Sequence, residues 1–197
     1  MTRKRVTDEE YGCLVRRTGE LVRRVDEGTL PFQEVMDGLQ VLIEGRGEKS
    51  SLIESIHKVT VDYTKSLAEM IEAGKYDWKY SDITQEHFPV QGQGREEKDV
   101  VLFHFGRYIS SGDAIAEMAK AGYCPVQIQE LLAFGGANPE LQKQFPIVAL
   151  GSVWRDPGGR RHVPYLDWHD RGRGLSLGWF GSGWGGDYRF AAVRNSS

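Results

Sequence analysis

Apolar positions recur at helical spacing early in the chain and at strand spacing towards its end. Thr7-Asp8-Glu9-Glu10 reads as a capping box ahead of Leu14, Leu21, Val22 and Val25, so the pattern predicts a helix ending near Gly28. Leu30-Pro31-Phe32 opens a second amphipathic helix through Val35, Met36, Leu39, Leu42 and Ile43, stopping at Gly45. The stretch from Gly45 to Ser51 is a polar linker. Val59 to Tyr63 reads as a strand, Ser66 to Glu69 caps a short helix that stops at Gly74, and a loop runs on through Tyr76, Trp78, Phe88 and Pro89. Val100 to Phe105 carries the strongest strand signal. Ser110 and Ser111 open a helix ending at Gly122, and Pro125 introduces another from Val126 to Phe134. Short strands follow at 147–150, 162–166, 175–179 and 188–194, with turns such as Asp156-Pro157-Gly158-Gly159 between them.

Composition divides the chain in a second way. All 9 Lys, 16 Glu, 9 Gln and 4 Met lie within residues 1–145, whereas the last 52 residues hold four of the five Trp and 10 of the 24 Gly. A β-rich end uses few helix formers, which accounts for part of this bias. The 40% hydrophobic content supports a packed core and argues against disorder. No apolar run approaches the ~18 residues of a membrane span, and the basic start Met1 to Arg5 leads into Asp8-Glu9-Glu10 without the apolar stretch of a secretory signal. With only Cys13 and Cys124 and no Cys/His cluster, a reduced, cytoplasmic protein is expected, with no membrane segment.

The familiar chemical motifs are missing. Gly47-Glu48-Lys49-Ser50 is only the tail of a phosphate loop. His57, His87, His104, His162 and His169 are isolated from one another, so no metal site and no cofactor is expected. His104 alternates with Phe103 and Phe105 and reads as a surface-facing strand residue. Ser152 lacks the full nucleophile elbow. The arginines at 155, 160, 161, 171, 173, 189 and 194 are interspersed with aspartates, and the net charge is -3, which disfavours nucleic acid as a partner.

The order of elements carries a resemblance. Val101 to Phe105 with the helix from Ser111, then Ala121 to Pro125 leading into Ile128 to Leu132, then Trp154, His162 to Leu166 and Tyr188 to Arg194, is similar to the C-type lectin fold over roughly residues 99–195. The chain lacks that family's E-P-N and W-N-D calcium motifs, and it lacks the C-terminal cysteines of the related formylglycine-generating enzymes. It resembles instead the variable proteins of diversity-generating retroelements. Adenine-directed mutagenesis of AAC or AAT codons in such proteins excludes Lys, Glu, Gln, Met and Trp from varied positions, as does the tail here apart from its Trp residues.

The resemblance implies an α+β, C-type lectin-like domain over 52–197 with a variable region at about 165–190, to which the helical pattern over 1–48 adds an extension that the resemblance does not cover. It implies ligand binding without catalysis, the partner being a protein or other macromolecule. Leu175, Leu177, Trp179 and Trp184 would be the fixed, buried frame. Ser176, Gly178 and Phe180 would face outward, and Ser182, Gly183, Gly185, Gly186 and Asp187 would form a loop, all in one exposed patch beside His169, Arg171 and Arg173. Two alternatives stay open: an enzyme with a site near Asp167, His169 and Arg171, and an assembly module acting through its N-terminal helices, which could also make a homo-oligomer.

Overall fold

The computed structural model describes residues 7–43, 52–170 and 172–195, so the linker at Gly45 to Ser51 and Arg171 lie outside the described residues. The chain divides into two compact units, Met1–Ser51 and Leu52–Ser197.

The first unit holds helices α1 (Asp8–Asp26) and α2 (Phe32–Ile43). They are joined at Gly28, whose φ of 69° lets the chain reverse in a conformation that costs glycine little. Tyr11, Val15, Val22, Phe32 and Met36 are exposed on these helices.

The second unit is built on a large, mostly antiparallel sheet. In chain order its elements are β1 (Ile53–Asp62), α3 (Leu67–Gly74), β2 (Trp78–Lys79), β3 (Arg95–His104), β4 (Ile109–Ser110), α4 (Ser111–Lys120), β5 (Tyr123–Pro125) and α5 (Ile128–Ala137). A short 3-10 helix (Leu141–Lys143) follows, then β6 (Ile147–Val148), β7 (Trp154–Arg155), β8 (Arg161–His169), β9 (Gly172–Trp179), β10 (Gly183–Trp184) and β11 (Arg189–Arg194). The strands run in the order β1-β3-β11-β6-β8-β9-β2, with β5 on β11 and β7 on β8, while β10 pairs only with β4. Parallel pairing is confined to β11 with β6 and β2 with β9.

Local chemistry explains the element boundaries. Ser66 and Glu69 form the reciprocal capping box of α3. Ser110 accepts from the Asp113 amide at the start of α4. Strand β1 begins six residues before the predicted strand at Val59, because residues 53–58 mix Glu54, Ser55, His57 and Lys58 with Ile53 and Ile56 on an edge strand and give no clean apolar alternation, while Val59 and Val61 are its buried side chains. Helix α5 continues through Gly135, where a side chain would strike the Tyr76 and Leu166 side chains. Ser152 accepts a hydrogen bond from the Ile128 amide at 2.9 Å, so its hydroxyl serves the start of α5.

The core has two parts, one on each face of the sheet. Alternation along β3 sends Val100 and Leu102 into one with Leu166 and Leu175, and Val101 and Phe103 into the other with Val163, Trp184 and Phe190. A strand covered on both faces reads as an unbroken apolar run.

Candidate functional site

Strand β9 is covered on both faces at its centre, which changes the roles expected of its residues. Leu175 and Ser176 are neighbours and both are buried, the serine at 3% exposure. Ser176 was expected to face solvent. It is instead held beneath the sheet surface by Asp167 Oδ2, to which its hydroxyl donates at 2.7 Å. A buried hydroxyl is tolerated because that bond satisfies it. Trp179 was expected in the core and is 52% exposed, because the end of β9 runs past the packed region. Leu177 is half-buried. Trp184 is buried at 4%, and its indole Nε1 donates to Ser111 Oγ at 2.8 Å.

Gly178, expected to face outward from the strand, and the glycines expected to form an open loop are close-packed. A Cβ on Gly178 would fall onto the Trp184 ring, one on Gly183 onto the Tyr108 ring, and one on Gly186 against the backbone of Gly106 and Arg107. Gly185 is half-buried beside Asp187. Phe180 is half-buried in the core on the Trp184 side, with the Arg161 guanidinium 4.2 Å from its ring centroid. Ser182, Asp187 and His169 are solvent-facing. The expected contiguous patch is therefore split between buried and exposed positions.

Arg173 is a structural tie. Its Nη1 donates to Gly74 O and Nη2 to Gly135 O, each at 2.7 Å, and its Nε donates to Gln142 Oε1 at 3.1 Å. These bonds join β9 to the ends of α3 and α5 and to the 3-10 helix, so the guanidinium is engaged with the protein itself. Asp167 and His169 do meet, with Nε2 of the histidine 2.9 Å from Oδ2, and the imidazole stacks on Trp78. Ser176 donates to the same carboxylate oxygen and not to the imidazole. An activated serine needs an imidazole acceptor and access to substrate. This trio offers neither. His104 Nε2 lies 2.8 Å from Gly186 O, which gives that half-buried histidine a place in holding the loop.

A different constellation opens to solvent. The turn at 156–160 folds β7 onto β8 so that Trp154 pairs with His162, and β9 lies on the other side of β8 so that His162 pairs with Trp179. Directly opposed residues of antiparallel strands share a face. Trp154, His162 and Trp179 therefore make one row across three strands. The Trp154 and His162 rings are 5.4 Å apart, and His87 stacks on the other side of Trp154 at 4.4 Å with the planes 19° apart. His87 is set by its Nδ1, 2.8 Å from Asp82 O. Trp154, His162 and His87, together with exposed Tyr80, Arg155 and Arg160, line a groove of about 640 Å³, and Trp179 stands next to it, opposite His162.

No protein-family model, curated protein or solved structure matches this chain.

The electrostatics of the groove centre on Asp156. Burial raises the pKa of its carboxyl, but the Arg160 amide, His162 and the Arg160 side chain outweigh that and lower it to about 2. Its Oδ2 takes Arg160 Nε at 2.8 Å and His162 Nε2 at 3.1 Å, which fixes the histidine in the row. Among the described residues no three His, Cys, Asp or Glu side chains gather as a metal site requires.

The residues of this groove were not singled out as a site from sequence. A signal for part of it exists: Trp154 and His162 flank Asp156-Pro157-Gly158-Gly159, and a hairpin through that turn brings them opposite each other. The contribution of His87 depends on a loop contact far along the chain and has no local signature.

Proposed function

We propose that the Leu52–Ser197 unit is a non-catalytic ligand-binding domain on a scaffold of the C-type lectin type, working through the groove at Trp154 and His162 and the exposed Trp179 next to it. The single observation that carries this reading is the cross-strand row of those three rings, with Trp179 held half in solvent. An exposed Trp on a strand loses apolar hydration when a ligand covers it, and its few torsions cost little to order. The scaffold reading is supported by the path of β11, which follows the two helices and the short strands and returns to pair antiparallel with β3.

Membership among retroelement variable proteins is then a matter of which positions exchange. Ser182, Asp187 and His169 meet the requirement that a varied side chain leave the core intact, because they are exposed. Ser176, Gly178, Gly183 and Gly186 do not meet it, given what surrounds them. The partner in this reading is a protein or other macromolecule presenting a ring or a flat apolar face. Among the described residues no helix is long and apolar enough to cross a membrane.

A second reading concerns the first unit. Exposed Tyr11, Val15, Val22, Phe32 and Met36 favour self-association through α1 and α2. Light scattering on the full chain and on residues 49–197 tests it: the full chain is expected to be the larger oligomer, and equal subunit numbers would overturn it.

The groove reading is tested by nuclear magnetic resonance on the five indole N–H signals while a set of small ring compounds is titrated in. Trp154 and Trp179 are expected to shift together, with Trp184 unchanged. Shifts confined to other indoles would overturn it.

A further inference from the structure

We infer that the first unit is half of a four-helix bundle, completed by the same unit of a second copy, with α1 of each copy lying against α2 of the other. The inference rests on the self-association reading of these helices, and it adds the number of copies, the seam and its arrangement. Among the described side chains of residues 7–43 none is buried. Helices of 19 and 12 residues are marginal in water without packing. Each of these two shows a pair of apolar rows. Leu21 and Val25 on α1, and Val35 and Leu39 on α2, are half-buried. Tyr11, Val15 and Val22 on α1, and Phe32 and Met36 on α2, are exposed. At 3.6 residues per turn the exposed row lies about 60–80° round the helix from the half-buried row, in the same rotational sense on both helices. The short turn through Gly28 makes an antiparallel hairpin of them. With the half-buried rows turned towards each other, both exposed rows therefore fall on one side of that hairpin.

The sequence repeats at the period of helices packed side by side: Leu14-Val15-Arg16-Arg17 recurs seven residues on as Leu21-Val22-Arg23-Arg24. In a four-helix bundle every helix meets two neighbours, and the hairpin supplies only one. A second copy supplies the other, because a twofold axis sets an apolar face against an identical one. Charge selects the arrangement. Residues 14–25, the stretch of α1 alongside α2, hold four arginines and one glutamate, a net charge of +3. Helix α2 holds Glu34 and Asp37 and no cation, a net charge of -2. Placing α1 against α2 of the second copy gives every helix oppositely charged neighbours, whereas α2 against α2 would set acid on acid. Arg23 keeps its bonds to Glu20 and Glu27, which lie on the polar side of α1 away from the exposed row.

The test is sedimentation equilibrium on the full chain and on three variants: Val15→Glu, the pair Val15→Ala and Met36→Ala, and the pair Glu34→Gln and Asp37→Asn. A melting curve accompanies each. The parent is expected at twice the 22.2 kDa mass of one chain. Val15→Glu, which puts a charge into the seam, is expected to loosen the dimer at least about tenfold. Alanine favours the helix more than valine or methionine, so a looser dimer in the alanine pair reports the lost seam and not a failed helix. An alanine pair that associates as tightly as the parent overturns the seam. The Glu34→Gln and Asp37→Asn pair is expected to loosen the dimer at low salt, and an unchanged or tighter dimer overturns the arrangement of α1 against α2. Three or more copies in the parent overturn the two-hairpin bundle and leave self-association standing. A single copy removes both readings, and a melting temperature lowered by Val15→Glu would then show that the rest of the chain covers this face.

Discussion

Ser176 and Asp167 meet across β8 and β9: the serine hydroxyl donates to Oδ2 of the aspartate at 2.7 Å, and both side chains are buried. A buried carboxylate stripped of a donor keeps its desolvation cost without the compensating bond. Ser176→Ala is therefore expected to cost about 1–3 kcal/mol in urea unfolding, while Ser182→Ala, on the solvent side, changes stability by no more than about 0.5 kcal/mol. Equal midpoints for the two variants would place Ser176 on the surface after all.

The two tryptophans of the tail part company. Trp184 is buried among Tyr165, Tyr188 and Phe190 and bonded to Ser111, so Trp184→Ala is expected to cost about 3–5 kcal/mol. Trp179→Ala should cost under about 1 kcal/mol, because roughly half of that side chain already meets water. Thermal melts of both variants check this, and a large loss for Trp179→Ala would put it back in the core.

Gly178 has no room for a side chain, since a Cβ there would fall onto the Trp184 ring. Gly178→Leu forces Trp184 from its site, and overpacking of this kind costs about 1–3 kcal/mol or more. Near-UV circular dichroism is expected to show the altered indole packing together with a lowered melting temperature. An unchanged spectrum and melt would mean that the strand yields freely.

Acid should weaken the hairpin through Asp156. Its carboxyl is lowered from 3.8 to about 2 in the folded chain, with burial opposed by its bonds to Arg160 and His162. A depressed pKa contributes stability that is fully present above the unfolded value and is lost as pH falls through the folded one. The difference in melting temperature between the parent and Asp156→Asn should therefore be constant above about pH 4 and shrink towards pH 2. A difference that grows on acidification would reverse the sign of this assignment.

Local chemistry was legible in the sequence, and sidedness was not. The capping box at Ser66 and Glu69 and the apolar run at Val100 to Phe103 need only neighbours along the chain, and both appear where the pattern puts them. Alternation in β9 separates Leu175 and Leu177 from Ser176 and Gly178, as the pattern implies, yet it does not say that both faces are covered. The burial of Ser176 depends on Asp167 from another strand, and the exposure of Trp179 depends on where β8 and β7 end. The abundance of glycine in the tail, which resembled an open loop, reflects close approach to Trp184, Tyr108 and the Gly106–Arg107 backbone. The groove joins the loop at 80–87 to the hairpin at 154–162, a juxtaposition made by strand pairing and a distant loop contact and not by neighbours along the chain.

The central claim is that the groove is the working surface and the glycine-rich strand is its frame. Two libraries displayed on yeast compare them directly, one randomising exposed Tyr80 and Arg155 of the groove with Trp179 next to it, the other randomising Ser176, Gly178, Gly183 and Gly186. The measured quantity is the fraction of members that resist protease at a temperature well below the melting point of the parent. Most of the first library and few of the second are expected to resist. A second library as resistant as the first would make the glycine-rich strand the exchangeable surface and would contradict the account.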